Sequence, residues 1–583
     1  MSEEHGHHHE LSFVQKYIFS VDHKVIGIQY TVASLIFLFL GFSMMMLMRF
    51  QLAYPGEAIP ILGSILPEPF VKNGVMTAAF YNQLGAMHGT IMVFMGVVPL
   101  AVGGFGNFVL PLQIGAPDMA FPRMNMASFW VFFPSALFMM LGFFMPGGAA
   151  QSGWTAYPPL SNLAPHEWHF WNGQNIWLIG MVGLITSSLL GSINFIVTTV
   201  QLRVKGLSYM RMPFFVWAQL ITSFLLLLAF PPLEAAGILQ LMDRVAGTSF
   251  FMPTGLVVNA QLATAWAGEG SPLLWQHLFW FLAHPEVYVL ILPAMGIIAE
   301  IVANNTRKPL WGFRSMVYSG AFLGFMSFLV WAHHMYQTGM GTTMSAFFQM
   351  TTMIISIPSV VILTCLLISL WGSKIRFNTP MLFALAWMPM FAIGGLTGLP
   401  LGLALSDIYL HDTYYVIGHF HYVVAPGTIF ALFAGVYYWY PKATGRMMNE
   451  KLGKLHFIGS FIGMNMVFMP MFIQGLAGVA RRMYDQTFYA HGRAVQDLTV
   501  FQSWGAWFLG AVQIFFIINF FMSVKNGEKA SENPWDATTL EWAAPSPPPH
   551  GNFVEVPVVY RDPYEYSVPG ASTDFSPQFN ENA

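Results

Sequence analysis

The stretch Leu410–Pro426 reads LHDTYYVIGHFHYVVAP and sets three histidines in an apolar run. Ionisable groups at membrane depth are costly and mark function. His419 and His421 lie two residues apart. On a helix turning about 100° per residue, their imidazoles leave the axis about 200° apart. One helix then offers a nitrogen ligand to a metal on each of two opposite faces. A lone histidine in such a run reads as a packing residue. Two on opposite faces, with His411 and Asp412 above them, point to metal chemistry.

Further histidines complete a set. His88 sits in QLGAMHGTIMVF, among glycine and alanine that let a bulky group approach closely. WFLAHPEVY supplies His284, Glu286 and Tyr288. His284 and Tyr288 are four apart and share a helix face, whereas Glu286 faces elsewhere. WAHHMY adds the adjacent pair His333 and His334. Three imidazoles from two neighbouring spans suit copper. Six such histidines can be partitioned as two on one iron, one on a second iron with an open face, and three on copper. An open haem iron opposite a copper is a site for dioxygen.

Long helices must hold these groups. Of 583 residues, 55% are hydrophobic and 9% charged, far below the quarter or so charged in soluble domains. The chain therefore reads as an integral membrane protein. Its fold class is all-α, one bundle of about twelve transmembrane helices centred near residues 38, 95, 137, 185, 225, 290, 325, 358, 391, 427, 467 and 513. Each is long enough to cross a core of about 30 Å. An even number puts both termini on one side. Lys16, Lys24, Arg203, Lys205, Arg211, Arg307, Lys308, Lys374, Arg376, Lys442, Arg446, Lys451 and Lys454 fall on that side, and the excess of cations makes it the cytoplasm.

Three segments follow: a cytoplasmic start over residues 1–25, the transmembrane domain over 26–527, and a Pro-rich tail over 528–583. The tail carries APSPPPHGNFVEVPVVYRDPYEY over Ala544–Tyr566 and is expected to be extended, cytoplasmic and laid on a partner surface. No cleavable leader is expected at the polar start, and its EHGHHH is assigned no function. The net charge of −3 gives no argument for nucleic acid. The single cysteine, Cys365, excludes internal disulfides and a paired-thiolate metal site. Nitrogen and oxygen ligands must do the metal chemistry, or a partner must bring it.

In these motifs the chain resembles subunit I of the haem–copper terminal oxidases, in the branch that oxidises cytochrome c. The likeness runs from DHKVIGIQY at Asp22 to NPWDATTLEW in the tail. It implies that His88 and His421 ligate a low-spin haem, that His419 ligates a high-spin haem, and that His284, His333 and His334 hold copper. Tyr288 matches the tyrosine cross-linked to the first of these three, a phenol able to give an electron and a proton. Arg481 and Arg482 would clamp haem propionates, as planar guanidinium groups do well, with Trp154 and Asp407 nearby. Arg49 matches the arginine that bonds the formyl of an A-type haem. His411 and Asp412 match ligands of a Mg²⁺ at the subunit interface. Gln51 replaces an acid at the family's outer cation site, so no ion is assigned there.

Protons are expected to enter at Asp118, in IGAPDMAFPRMN, and to pass Asn107, Asn125, Ser187, Ser188 and Asn194 on bridging waters toward Glu286. A carboxyl in apolar surroundings keeps its proton until a partner accepts it, which suits a gate loading a pump. Met126 replaces a family asparagine on this path. A second, lysine-led path would have its lysine where this chain has Ile362. Thr343, Thr352, Ser356 and Ser359 remain as hydroxyls, so a lysine-free route to Tyr288 and entry solely beside Asp118 both stay open.

The function implied is a proton-pumping respiratory oxidase of the bacterial cytoplasmic membrane, reducing O₂ to water. Electrons would come from cytochrome c through a copper-bearing subunit II, because a dinuclear copper site needs cysteines this chain lacks. The alternative is a quinol-oxidising relative. Gln83 fits one member of a quinol site, but Phe80 stands where a histidine would accompany it. Nitric oxide reductases lack the Tyr288 and Glu286 pattern. A transporter would share the apolar spans without needing six such histidines.

Overall fold

The computed structural model describes residues 12–163, 170–258, 261–262 and 268–581; the His-rich EHGHHH lies outside them. Among the described residues, twelve helices are long and apolar enough to cross a membrane, one at each expected span. They are α1 (His23–Ala53), α2 (Ala78–Ile114), α3 (Pro122–Phe144), α4 (Gly173–Gln201), α5 (Phe214–Val245) and α6 (Pro272–Thr306). There follow α7 (Phe313–Thr338), α8 (Gly341–Leu370), α9 (Thr379–Leu401), α10 (Tyr414–Thr444), α11 (Glu450–Leu476) and α12 (Gln496–Asn526). Strand among the described residues is confined to two short antiparallel pairs, Val71–Lys72 with Val75–Met76 and Val257–Val258 with Gln261–Leu262.

Short polar side chains set where many of these helices begin. Asp22, Thr77, Asn172, Ser271, Asn378, Thr413 and Asn449 each accept a backbone N–H from the first turn that follows. Each thereby satisfies one of the donors that a helix start leaves unpaired. Capping matters most where a span starts beside functional groups, and Thr413 does so for the helix that carries His419 and His421.

Helices adjacent in sequence pack side by side from α3 to α6 and from α9 to α12, while α1 lies against both α2 and α12. The most apolar windows of α2 and α6 are 94% and 89% buried, against 28% for α12. Helices buried all round stand at the centre of a bundle, so His88 on α2 and His284 on α6 are central.

Three of these helices depart from α geometry close to the histidines. Beyond His88, α2 has π-helical turns at Ile91–Val97 and Pro99–Gly106. Beyond His421, α10 has one at Ala425–Ile429, around Pro426. The end of α7 tightens into a 3₁₀ segment, Trp331–Thr338, which carries His333 and His334. Such turns aim side chains differently from a straight helix and cluster at functional sites.

The tail departs from expectation. Thr538, Leu540, Glu541, Trp542 and Ala544 are buried against the chain's own helices rather than left for a partner. Trp535 Nε1 donates to the Tyr438 carbonyl at 2.8 Å, Tyr564 Oη donates to Glu300 Oε1 at 2.6 Å, and Arg307 Nη2 pairs with Asp574 Oδ1 at 2.7 Å. Polar groups at the ends of α6 and α10 need partners, and the tail aromatics need cover. Packing the tail on the bundle meets both needs.

Candidate metal centre and its proton entry

The α6 histidine and the α7 pair converge. One ligand nitrogen from each of His284, His333 and His334 lies within 4.8 Å of the others. His284 Nδ1 is 3.2 Å from His334 Nε2, while His284 Nε2 is buried without a protein partner. An unpaired buried nitrogen is costly unless something binds it, so this donor set fits copper. Tyr288 has its ring centroid 5.0 Å from that of His284, as a spacing of four residues requires. His333 Nδ1 faces Thr352 Oγ1 of α8 at 3.0 Å.

The other three histidines share one device. His88 Nδ1 lies 2.8 Å from the Gly41 carbonyl, His419 Nδ1 2.8 Å from that of Gly394, and His421 Nδ1 2.9 Å from that of Ile417. A carbonyl accepts, so each Nδ1 carries hydrogen and each Nε2 keeps its lone pair for a metal. These donors fit haem iron. His88 and His421 lie near enough to interact electrostatically, as do His419 and His333. The two faces of α10 thus look toward different neighbours, one toward α2 and one toward the copper-type cluster. Space is matched as closely: a Cβ on Gly398 would stand 2.7 Å from His419 Cε1, and one on Gly89 would stand 2.9 Å from Trp154.

Arg49 is buried, donates to Gln502 Oε1 at 2.8 Å, and acts electrostatically on His88 and His421. Between the spans, Arg481 Nε donates to Asp412 Oδ1 at 2.6 Å, and His411 Nδ1 lies 3.2 Å from Asp407 Oδ2. Burial works to raise the Asp412 carboxyl, but Arg481, His411 and Arg482 outweigh it and hold it below the usual range. The hydrogen bond to Asp407 raises His411. Burial, with Arg481 beside it, brings Arg482 down to about 10.

Glu286 is buried with neither carboxylate oxygen bonded to protein. On the tail-bearing end, Asp118 Oδ1 accepts the Met119 N–H at 2.6 Å. Burial raises this carboxyl, and His23 and the Met119 N–H only partly pull it back. Asn194 Oδ1 accepts from Phe121 N at 2.9 Å. Asn125 has both amide atoms buried without protein partners, and Asn107 has its Oδ1 so. Ser187 Oγ donates to the Ser128 carbonyl at 2.6 Å, and Tyr30 Oη reaches Ser128 Oγ at 3.1 Å. Ser188 turns back to Leu184 of its own helix. Gln83 is taken up by the Gly147 carbonyl and the Ala149 N–H.

Several contributors were not read from the sequence. Trp280 stacks on His334 with centroids 3.7 Å apart and planes at 14°; its position four residues before His284 was the available signal. Gly398, Gln502, Ser128 and Asn552 carry no local motif, and DHKVIGIQY, which holds His23 and Tyr30, does not show what they contact.

A family model described as cytochrome C and quinol oxidase polypeptide I matches residues 25–508. Cytochrome c oxidase subunit 1 of Synechocystis sp. is 44% identical over 565 residues, spanning 97% of this chain and 95% of that protein. Alternative cytochrome c oxidase subunit 1 of Bradyrhizobium diazoefficiens is 42% identical over 576 residues, spanning 98% and 94%. A solved heme-copper terminal oxidase dimer aligns with a TM-score of 0.68 over 87% of this chain and 84% of that one. At 20% identity that likeness speaks to fold alone.

Proposed function

Since the chain belongs to the cytochrome c and quinol oxidase polypeptide I family and is the catalytic subunit of a cytochrome c oxidase of the bacterial membrane, we propose how its residues divide the work. His88 and His421 would hold one haem. His419 holds the second, and His284, His333 and His334 hold the copper. When bound, these groups carry electrons and reduce dioxygen to water. The observation that carries the assignment is the convergence of three imidazoles, one ligand nitrogen from each lying within 4.8 Å of the others.

The chain's own groups do the rest. Trp280 fixes the plane of His334 by stacking. Thr352 orients His333 through its Nδ1. Tyr288, against His284, supplies an electron and a proton from its phenol. Arg49, buried beside the two low-spin ligands, selects haem of the A type. Arg481 and Arg482 would pair with the propionates, with Trp154 and Asp407 contributing beside them. His411 and Asp412, with Nε2 and Oδ2 3.9 Å apart, offer a nitrogen and a carboxylate to Mg²⁺.

Protons enter beside Asp118 and pass Asn194, Asn125, Asn107 and Ser187, with Ser188 at the edge of the path. Buried amide atoms that lack protein partners at Asn125 and Asn107 support this, since such atoms are met by ordered water. Glu286, free of protein hydrogen bonds, accepts the proton at the inner end and passes it on for water formation or pumping. The route past Ile362 and Ser359 is not used. Both termini are cytoplasmic, and a partner subunit II carries the copper that receives electrons from cytochrome c. Gln83 is engaged by Gly147 and Ala149 of the segment after α3, which argues against a quinol site there.

The test is the reduced-minus-oxidised spectrum of the purified complex, with haem extraction and oxygen uptake driven by reduced cytochrome c. A-type haem and cytochrome-driven uptake are expected. B- or O-type haem with quinol-driven uptake would overturn the donor and haem assignments.

A further inference from the structure

The tail reaches into the proton entry through one residue. Asn552 is fully buried and its amide joins three segments. Its Nδ2 donates to the Ala116 carbonyl at 2.7 Å, two residues before Asp118. Its Oδ1 accepts from Lys24 Nζ at 2.9 Å and faces His23 Nε2 at 2.9 Å. The ammonium on one side and the carbonyl on the other fix which end of the amide is oxygen.

The other ring nitrogen of His23, Nδ1, faces the Asn107 carbonyl at 2.6 Å. A neutral imidazole has one N–H and one lone pair. Here both nitrogens meet oxygen acceptors, and only the imidazolium satisfies both. The ring is wholly buried, where an unmet polar contact is costly. Four charged or titratable groups surround it. Burial and Lys24 work against a charge on this ring, and the two facing oxygens, Asp118 and Asp22 work for it. His550 of the tail faces Asp22 Oδ2 at 3.2 Å.

We propose that Asn552 is a positioning residue for proton uptake: by accepting from His23 Nε2 it holds that imidazole as a fixed cation beside Asp118, and so sets the pH range over which Asp118 takes up protons. The proposal rests on the Asp118 entry given above. Burial drives the Asp118 carboxyl up and the His23 charge restrains it. Without the Asn552 amide, His23 has one acceptor and reverts to the neutral ring. Asp118 then loses that restraint and stays protonated to higher pH.

The informative variant is Asn552→Gly, because φ of 71° at this position suits glycine and would strain alanine. Oxygen uptake is followed against pH in the purified complex with reduced cytochrome c. N552G and H23Q are each expected to move the alkaline limb upward by about one pH unit, about tenfold in uptake at a fixed pH on that limb. The double variant should move it no further than either single one, because both remove the same charge. An unmoved limb in N552G, or additive shifts in the double variant, would overturn the proposal; a merely structural role lowers uptake at every pH without moving the limb. Asp118→Asn separates the two readings. Full turnover in D118N sinks the entry itself, whereas lost turnover in D118N with an unmoved limb in N552G sinks only the role of Asn552.

Discussion

Two polar routes run from the tail-bearing end toward the histidine cluster, and they are built differently. The route from Asp118 holds buried amide atoms at Asn125 and Asn107 with no protein partner, and hydroxyls of Tyr30, Ser128 and Ser187 joined across three helices. The route along α8 holds Ile362, which is fully buried. Its hydroxyls bond carbonyls of their own helix, Thr351 to Phe347, Ser356 to Thr352 and Ser369 to Cys365. Two also look outward, Thr352 to His333 and Ser369 to the Trp311 N–H. Among the described residues, no α8 side chain has a buried polar atom without a partner. Water is recruited by unmet polar atoms, so on the reading proposed above the first route would carry a water chain and the second would not.

The largest test of that contrast lies at its meeting point. His284→Ala is expected to abolish oxygen uptake and remove copper by metal analysis, while the low-spin haem band, held by His88 and His421, persists. Copper retained at the wild-type level would show that the cluster is not the binding site. Asp118→Asn comes next, with uptake falling about 100-fold, the scale of a lost proton-transfer group. Residual uptake near wild type would mean that protons pass elsewhere.

Ile362→Lys sharpens the comparison from the other side. With the α8 route unused, turnover should change less than about twofold, and a buried lysine should destabilise the complex by several kcal/mol, read as a lower Tm. The decisive measurement is the D118N and I362K double variant. Recovery of turnover there would mean that α8 becomes a path once given a lysine. Ser187→Ala, which removes one hydroxyl from a chain of several, should cost only about 1 kcal/mol, roughly fivefold in rate.

Legibility followed sequence distance. His419 and His421, His284 and Tyr288, and His333 and His334 are close neighbours, and helix geometry alone fixes how they face. The twelve spans were equally readable, because crossing a bilayer imposes a length and a composition. The placement of the tail was not. Its prolines and acids suggested an extended strand on a partner, yet Trp535, Leu540 and Tyr564 carry enough apolar surface to dock on their own bundle. The His23–Asn552 contact spans 529 residues and leaves no periodic trace in either segment. Trp280 lay within reach of the same four-residue rule that paired His284 with Tyr288. Gly398 acts through the volume it leaves beside His419, which only the packed structure displays.

The weakest link in the Asp118 route is electrostatic, and pH should expose it. Asp22 caps α1 by accepting the Lys24 N–H, pairs with Lys24 Nζ at 2.9 Å, and faces His550 of the tail. Burial works to raise its carboxyl, but His23 and Lys24 outweigh this and hold it below the usual range. A carboxyl lowered in the folded state stabilises it fully above the unfolded pKa of about 3.9, and that contribution is lost as pH falls through the lower, folded value. The tail is therefore expected to resist limited proteolysis at neutral pH and to loosen on acidification below about pH 4. Asp22→Asn keeps the helix cap and removes only the charge, so its tail should be cleaved slightly faster at neutral pH, by no more than about 1 kcal/mol in docking, with less change on acidification. If both proteins lose protection identically with pH, the clasp owes its acid sensitivity to other groups.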